Sequence, residues 1–205
     1  MSQQVAILAS GSGSNAQALW RHLGEKSLAE VVFIGCNRGP ERAGIYERAE
    51  ADGLVVERFA RKDLESGQLR KLLEARMVDW IFLAGFLMRI PRDFIAGWPR
   101  QIVNIHPSLL PHFGGQGMWG HHVHEAVWSA AEADENFRTT GMTIHRVNEN
   151  YDEGEVVFQA EVAIDPRTDD PSKIASKVLS LEHTYYPKVA EHLIRDEPIQ
   201  KSISL

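Results

Sequence analysis

Val5-Ala-Ile-Leu-Ala9 runs directly into Ser10-Gly-Ser-Gly-Ser-Asn15. Consecutive apolar residues bounded by glycine and serine read as a strand buried on both faces. Beyond the turn, Ala16, Leu19, Trp20 and Leu23 recur at i, i+3, i+4 and i+7, which predicts an amphipathic helix. The same alternation continues downstream. Strands are expected at Val31–Ile34, Leu54–Val56, Trp80–Ala84 and Ile102–Ile105. Between them lie helices through Ile45 and Ala49, around Leu69, Leu72 and Leu73, and a short one opened by Pro91. Strands alternating with helices imply βαβ units and a parallel sheet. The fold class is therefore α/β, Rossmann-like, with a mostly parallel sheet and helices on both faces.

The second half departs from that rhythm. Residues 107–120 hold two prolines and four glycines and form a long loop. A helix with Val123, Ala126, Val127 and Ala130 on one face follows. Met142–Val147 and Val156–Val162 then read as two strands joined by the polar turn 148–154, an antiparallel addition to the sheet. A last helix from Pro171 turns Ile174, Val178, Leu181 and Tyr185 inward, with Pro187 expected to kink or break it. Neither linker nor repeat interrupts residues 1–205, so a single domain is expected.

Composition narrows the function. The chain is 43% hydrophobic with a formal charge of −6, and glutamates interleave its locally basic stretches, which argues against nucleic acid as a partner. No apolar run approaches the ~20 residues of a membrane span, and the first residues carry no basic leader. Cys36 is the sole cysteine, so a disulfide framework and a thiolate zinc cage are out of reach. A cytoplasmic enzyme of small molecules is the expectation.

Three clusters carry chemistry. Glycines between a buried strand and a helix let a phosphate reach free backbone N–H groups. Gly11-x-Gly13-x-x-Ala16 also fits a dinucleotide turn, but the next strand ends in Gly35-Cys-Asn-Arg-Gly39 without the acid that ribose needs. Arg38 leaves an NADP-binding module open as an alternative. Asn104 and His106 point to one face of a strand that Pro107 ends, which pairs an amide donor with an imidazole for oxyanion stabilisation and proton transfer. Asp152, in Tyr151-Asp-Glu-Gly154, would raise the pKa of a neighbouring His106. His121, His122 and His124 invite a metal reading, but no further ligand converges on them, so no metal is assigned.

Ser10–Asn15, Leu83-Ala-Gly-Phe86, Asn104-Ile-His-Pro-Ser-Leu-Leu-Pro111 and Tyr151–Gly154 stand in the order and spacing of the folate-dependent formyltransferase superfamily, which the chain resembles from Val5 to about Leu193. The resemblance implies transfer of a formyl group from 10-formyltetrahydrofolate, a co-substrate, to the amine of 5-phosphoribosylglycinamide in purine synthesis. It implies catalytic roles for Asn104, His106 and Asp152. It places Gly13, Ser14 and Asn15 on the substrate phosphate and Glu182 on the ribose hydroxyls. It places Leu87, Met88, Arg89 and Ile90, with Asn104, on the folate ring, and Lys62 or Arg61 on the folate tail. It also puts loop histidines near the substrates. Another formyltetrahydrofolate-dependent transfer or hydrolysis is the alternative within the superfamily. The acidic chain ending at Leu205 speaks against a basic tRNA-binding domain, and four residues before Val5 against a leading regulatory one. The glycines between Pro111 and His121 suggest a mobile lid over the site.

Overall fold

The computed structural model describes residues 2–204. The elements run β1 (Gln3–Ala9), α1 (Ser14–Glu25), β2 (Ala29–Cys36), α2 (Ile45–Ala51), β3 (Glu57–Arg58), α3 (Arg61–Glu65), α4 (Gln68–Ala75), β4 (Trp80–Leu83) and α5 (Arg92–Ile95). The second half adds β5 (Ile102–His106), α6 (His121–Ala133), β6 (Thr139–Arg146), β7 (Val156–Ala163), α7 (Pro171–Ile194) and β8 (Ser202–Ser204). All eight strands join one sheet in the order β3-β2-β1-β4-β5-β6-β7-β8. β1 to β5 are parallel, β6 runs antiparallel to both β5 and β7, and β8 returns parallel to β7.

The pleat divides the core. Along β1, Val5, Ile7 and Ala9 enter one buried cluster while Ala6 and Leu8 enter the other, as alternate side chains of a strand must. Residues of α1, α2, α6 and α7 cover the first cluster, and residues of α3, α4 and α5 the second. The chain builds outward from β1 through β2 to β3, then crosses to β4 and β5 on the other side. The topological switch therefore lies between β1 and β4, where open α/β sheets bind ligands. Tyr186 ties α7 to that point. Its ring, fully buried, stands edge-on to Phe82 at 6.1 Å, and its hydroxyl lies 2.9 and 3.1 Å from the Leu83 and Val103 carbonyls.

Four local expectations need correction. Leu54–Val56 is not a strand, and Val55 is 78% exposed. Pairing with β2 begins only at Glu57, because Gly35 and Cys36 at the end of β2 are the residues that offer a partner. Pro187 does not end α7, which continues to Ile194. An interior proline costs a helix about 3 kcal/mol; here Tyr186, Val189 and Ala190 around it are buried in the core and outweigh that loss. The inward tyrosine is Tyr186, not Tyr185, because the buried stripe passes from Leu181 and Glu182 to Tyr186 and Val189. On α6, His124 and Ala131 are buried while Ala126 and Ala130 are only partly covered.

Candidate active site

The carboxyl ends of β1, β4 and β5 open into a cavity of ≈ 460 Å³ that reaches from Asn15 and Glu182 to His106 and Asp152. The turn after β1 forms one end. Gly13 adopts φ 76°, and a Cβ there would sit 2.5 Å from the Ile45 side chain, so the turn and its contact with α2 both require glycine. Arg48 donates from Nε to the Ser12 carbonyl at 3.0 Å and holds the turn from outside. Gly11, by contrast, faces open space. Ser14 begins α1, leaving the first N–H groups of that helix without intrahelical partners. Asn15 donates from Nδ2 to Glu182 Oε2 at 2.8 Å, while its own Oδ1 is buried without a partner. Burial pushes the Glu182 carboxyl up to about 7 against the opposing hydrogen bond from Asn15.

The other end is built on β5 and β6. Asn104 pairs across the ladder with His145, and His106 with Thr143, so four polar side chains share one face. Thr143 donates to the Ser108 carbonyl at 2.7 Å and accepts from the Leu110 N–H at 3.0 Å, fixing the turn beyond His106. His106 is 4% exposed. Its Nε2 donates to the Phe113 carbonyl at 2.8 Å. A carbonyl can only accept, so Nε2 carries a hydrogen. Nδ1, 3.4 Å from Asp152 Oδ2, is then the nitrogen that gains or loses the proton. Asp152 Oδ2 also accepts from the Gly115 N–H at 2.9 Å.

His145 completes the cluster. Its Nδ1 donates to the Arg146 carbonyl at 3.0 Å, and its Nε2 lies 3.0 Å from Asn104 Nδ2 and 3.5 Å from Asp152 Oδ1. With Nδ1 carrying the hydrogen, Nε2 accepts from the Asn104 amide, which keeps its second hydrogen for another partner. His145 belongs to no motif of the sequence. The available signal was its place two residues after Thr143, on the same face of the strand.

Electrostatics correct one expectation. Burial lowers the pKa of His106 and outweighs the opposing pull of Asp152 and of the Phe113 carbonyl, with His145 adding to the drop. Asp152 alone does not set the imidazole. Burial raises the Asp152 carboxyl, yet the neighbouring His145, His106 and Gly115 N–H together bring it below its ordinary range.

The segment after β4 lies alongside. Ser10 and this segment are stitched together, Ser10 N–H to the Gly85 carbonyl at 3.1 Å and Leu87 N–H to Ser10 Oγ at 3.0 Å. Leu87 lines the main cavity, whereas Met88 and Ile90 are buried in the second core cluster. Both also border a smaller cavity of ≈ 60 Å³ that shares Asn104, Tyr151 and Asp152 with the large one. Arg89 donates from Nε to the Glu149 carbonyl at 2.8 Å, clamping this segment to the turn that carries Asp152. Lys62 is exposed on α3 and borders neither cavity, and Arg61 pairs with Glu65 at 3.4 Å. The loop after β5 is bonded to the site through Phe113 and Gly115. Phe113 holds φ 54°, a left-handed conformation costing a non-glycine residue about 1–2 kcal/mol. His124 points inward and lines the cavity, while His121 and His122 stay exposed.

An amide donor, a titrating imidazole and a carboxylate around one switch-point cavity define a site for adding a nucleophile to a carbonyl carbon. The chain matches the formyl transferase family over residues 3–190, and it belongs to that family. It is 34% identical over 192 residues to the chloroplastic phosphoribosylglycinamide formyltransferase of Arabidopsis thaliana, covering 91% of this chain and 64% of the plant protein. It is 34% identical over 199 residues to the trifunctional purine biosynthetic protein adenosine-3 of Drosophila melanogaster, covering 94% of this chain and 14% of the fly protein. The phosphoribosylglycinamide formyltransferase structure from Brucella melitensis superposes with a TM-score of 0.81 at 32% identity, covering 98% of this chain and 100% of that one. Among the described residues no helix is long and apolar enough to cross a membrane.

Proposed function

We propose that the chain transfers the formyl group of 10-formyltetrahydrofolate to the amine of 5-phosphoribosylglycinamide, a step of purine biosynthesis. The observation that carries the reading is the single cavity joining Asn15 and Glu182 at one end to Asn104, His106 and Asp152 at the other. Relatives named for this activity, and one named for purine synthesis, support it. Residues 1–205 act as one domain in this reading, since every strand belongs to one sheet. One buried free cysteine, Cys36, suits a reducing cytoplasm.

Gly13, Ser14 and Asn15 hold the phosphate, because helix N-terminal N–H groups favour an anion. Glu182 accepts from the ribose hydroxyls. Backbone groups of Leu87, Met88, Arg89 and Ile90, with Asn104, receive the folate ring, and Lys62 is offered to its tail. As the substrate amine adds to the formyl carbon, the Asn104 amide and protonated His106 Nδ1 donate to the oxygen that gains charge. Asp152 favours that proton on the imidazole and offsets part of the cost of burial, and takes up, through water, the proton lost by the amine. His106 then supplies a proton to the departing folate nitrogen. No metal enters these steps. The test is folate absorbance followed with and without 5-phosphoribosylglycinamide. A change that requires the ribonucleotide supports the reading; one that proceeds equally without it indicates hydrolysis.

A further inference from the structure

We propose that His121, His122 and Glu125 form a surface site for a divalent transition metal of the zinc class, whose occupation stiffens one wall of the substrate cavity. The sequence groups His124 with the other two histidines, but folding separates them. His124 is 7% exposed and faces the cavity, while Glu125 turns outward to take its place. His121 and His122 open α6, and Glu125 follows one helical turn on. The ligand atoms of the three residues lie within 4.8 Å of one another. The two imidazole rings are 4.0 Å apart at 39°, and His122 Nδ1 is 3.6 Å from Glu125 Oε2. All three side chains are exposed, so small rotations can close them to the ~2 Å distances of metal bonds.

Two imidazoles and one carboxylate suit zinc, nickel or copper, whereas magnesium and calcium prefer oxygen alone. The positive end of the α6 dipole opposes a cation, and the Glu125 carboxylate offsets it. None of the three residues borders the main cavity, so the site stands apart from the transfer chemistry. Trp119 couples the two. Its ring packs edge-on against His122 at 4.9 Å and His121 at 6.2 Å, and the same residue lines the cavity. Gly117 at φ 90° and Gly120 at φ 56° flank Trp119 and leave that wall few other restraints. Metal ligation fixes both rings, and with them the indole.

Tag-free, chelator-treated protein titrated calorimetrically with zinc chloride alone should bind one equivalent. His122→Ala and Glu125→Ala should each weaken that binding at least ~10-fold while melting like the parent, and His112→Ala should leave it unchanged. Amide exchange over residues 116–120 should slow on zinc addition. Absence of saturable binding, or parent-like binding in either ligand variant, overturns the site. Unchanged exchange in the zinc-bound protein overturns its coupling to the cavity wall.

Discussion

Glu182 and His124 border the same cavity with opposite protonation habits, and each leaves a sign on stability. Burial lifts Glu182 from 4.5 to about 7, so the folded chain keeps a proton there that the unfolded chain has lost. Its contribution is fully present below 4.5 and disappears as pH rises through about 7. Burial, then the neighbouring His106, lowers His124 from 6.5 to about 4, so its contribution is present above 6.5 and is lost as pH falls through about 4. Glu182→Gln keeps an acceptor for Asn15 and should stabilise the protein by up to about 3 kcal/mol near neutral pH and above, while weakening ribonucleotide binding. His124→Phe should flatten the acid limb of the curve by a similar ~3 kcal/mol. Urea unfolding across pH checks both, and parallel profiles for variant and parent would refute these assignments. At the transfer site, His106→Ala and Asp152→Asn should each lower the rate by at least ~10²-fold, with much smaller effects on binding of a folate analogue. Retained turnover in either variant removes that residue from the chemistry.

At the scale of elements, the β1 turn separates packing from binding. Gly13→Val would force a branched side chain onto Ile45 at a positive φ, so it should damage folding and both ligand affinities together. Gly11→Val meets no neighbour within 4 Å and should fold normally, raising the KM for the ribonucleotide at least ~10-fold while sparing folate affinity. Equal losses for both substrates in the Gly11 variant would remove the phosphate assignment. The loop after β5 divides as well. Gly115 N–H is held by Asp152, so its amide should exchange slowly in the parent and quickly in Asp152→Ala. In metal-free protein, residues 116–119 should gain protection when both substrates are bound, and unchanged protection would refute a closing lid. Much of this was legible at the element level. The apolar run Val5–Ala9 and the helical spacing from Ala16 to Leu23 placed β1 and α1 correctly. Leu54–Val56 misled because strand pairing is settled by where β2 still has a free edge, a fact absent from a local window. Pro187 misled because tertiary burial outweighs a local helix penalty. β8, only three residues long, carries no periodicity to read.

For the whole molecule, the order of strands turns a list of motifs into a site. The ends of β1, β4 and β5 converge because the chain reverses direction of growth between β1 and β4. Asn104, His106 and Asp152 were grouped in the sequence by the resemblance to the formyltransferase superfamily, since a strand end and a turn before glycine are ordinary chemistry on their own; the fold brings all three to one cavity. His145 was not among them, because its value lies in being opposite Asn104 on β6, a register no single strand encodes. The low pKa of His106 was hidden for a similar reason: burial from both core and loop exceeds the pull of its carboxylate neighbour. One cavity must hold an amine and a formyl donor together. The most direct measurement follows a carbon-labelled formyl group on tetrahydrofolate in the presence of 5-phosphoribosylglycinamide, read by mass spectrometry within a single turnover. The label should appear on the glycinamide nitrogen and not in free formate; label recovered as formate, or left on the folate, would contradict formyl transfer within that cavity.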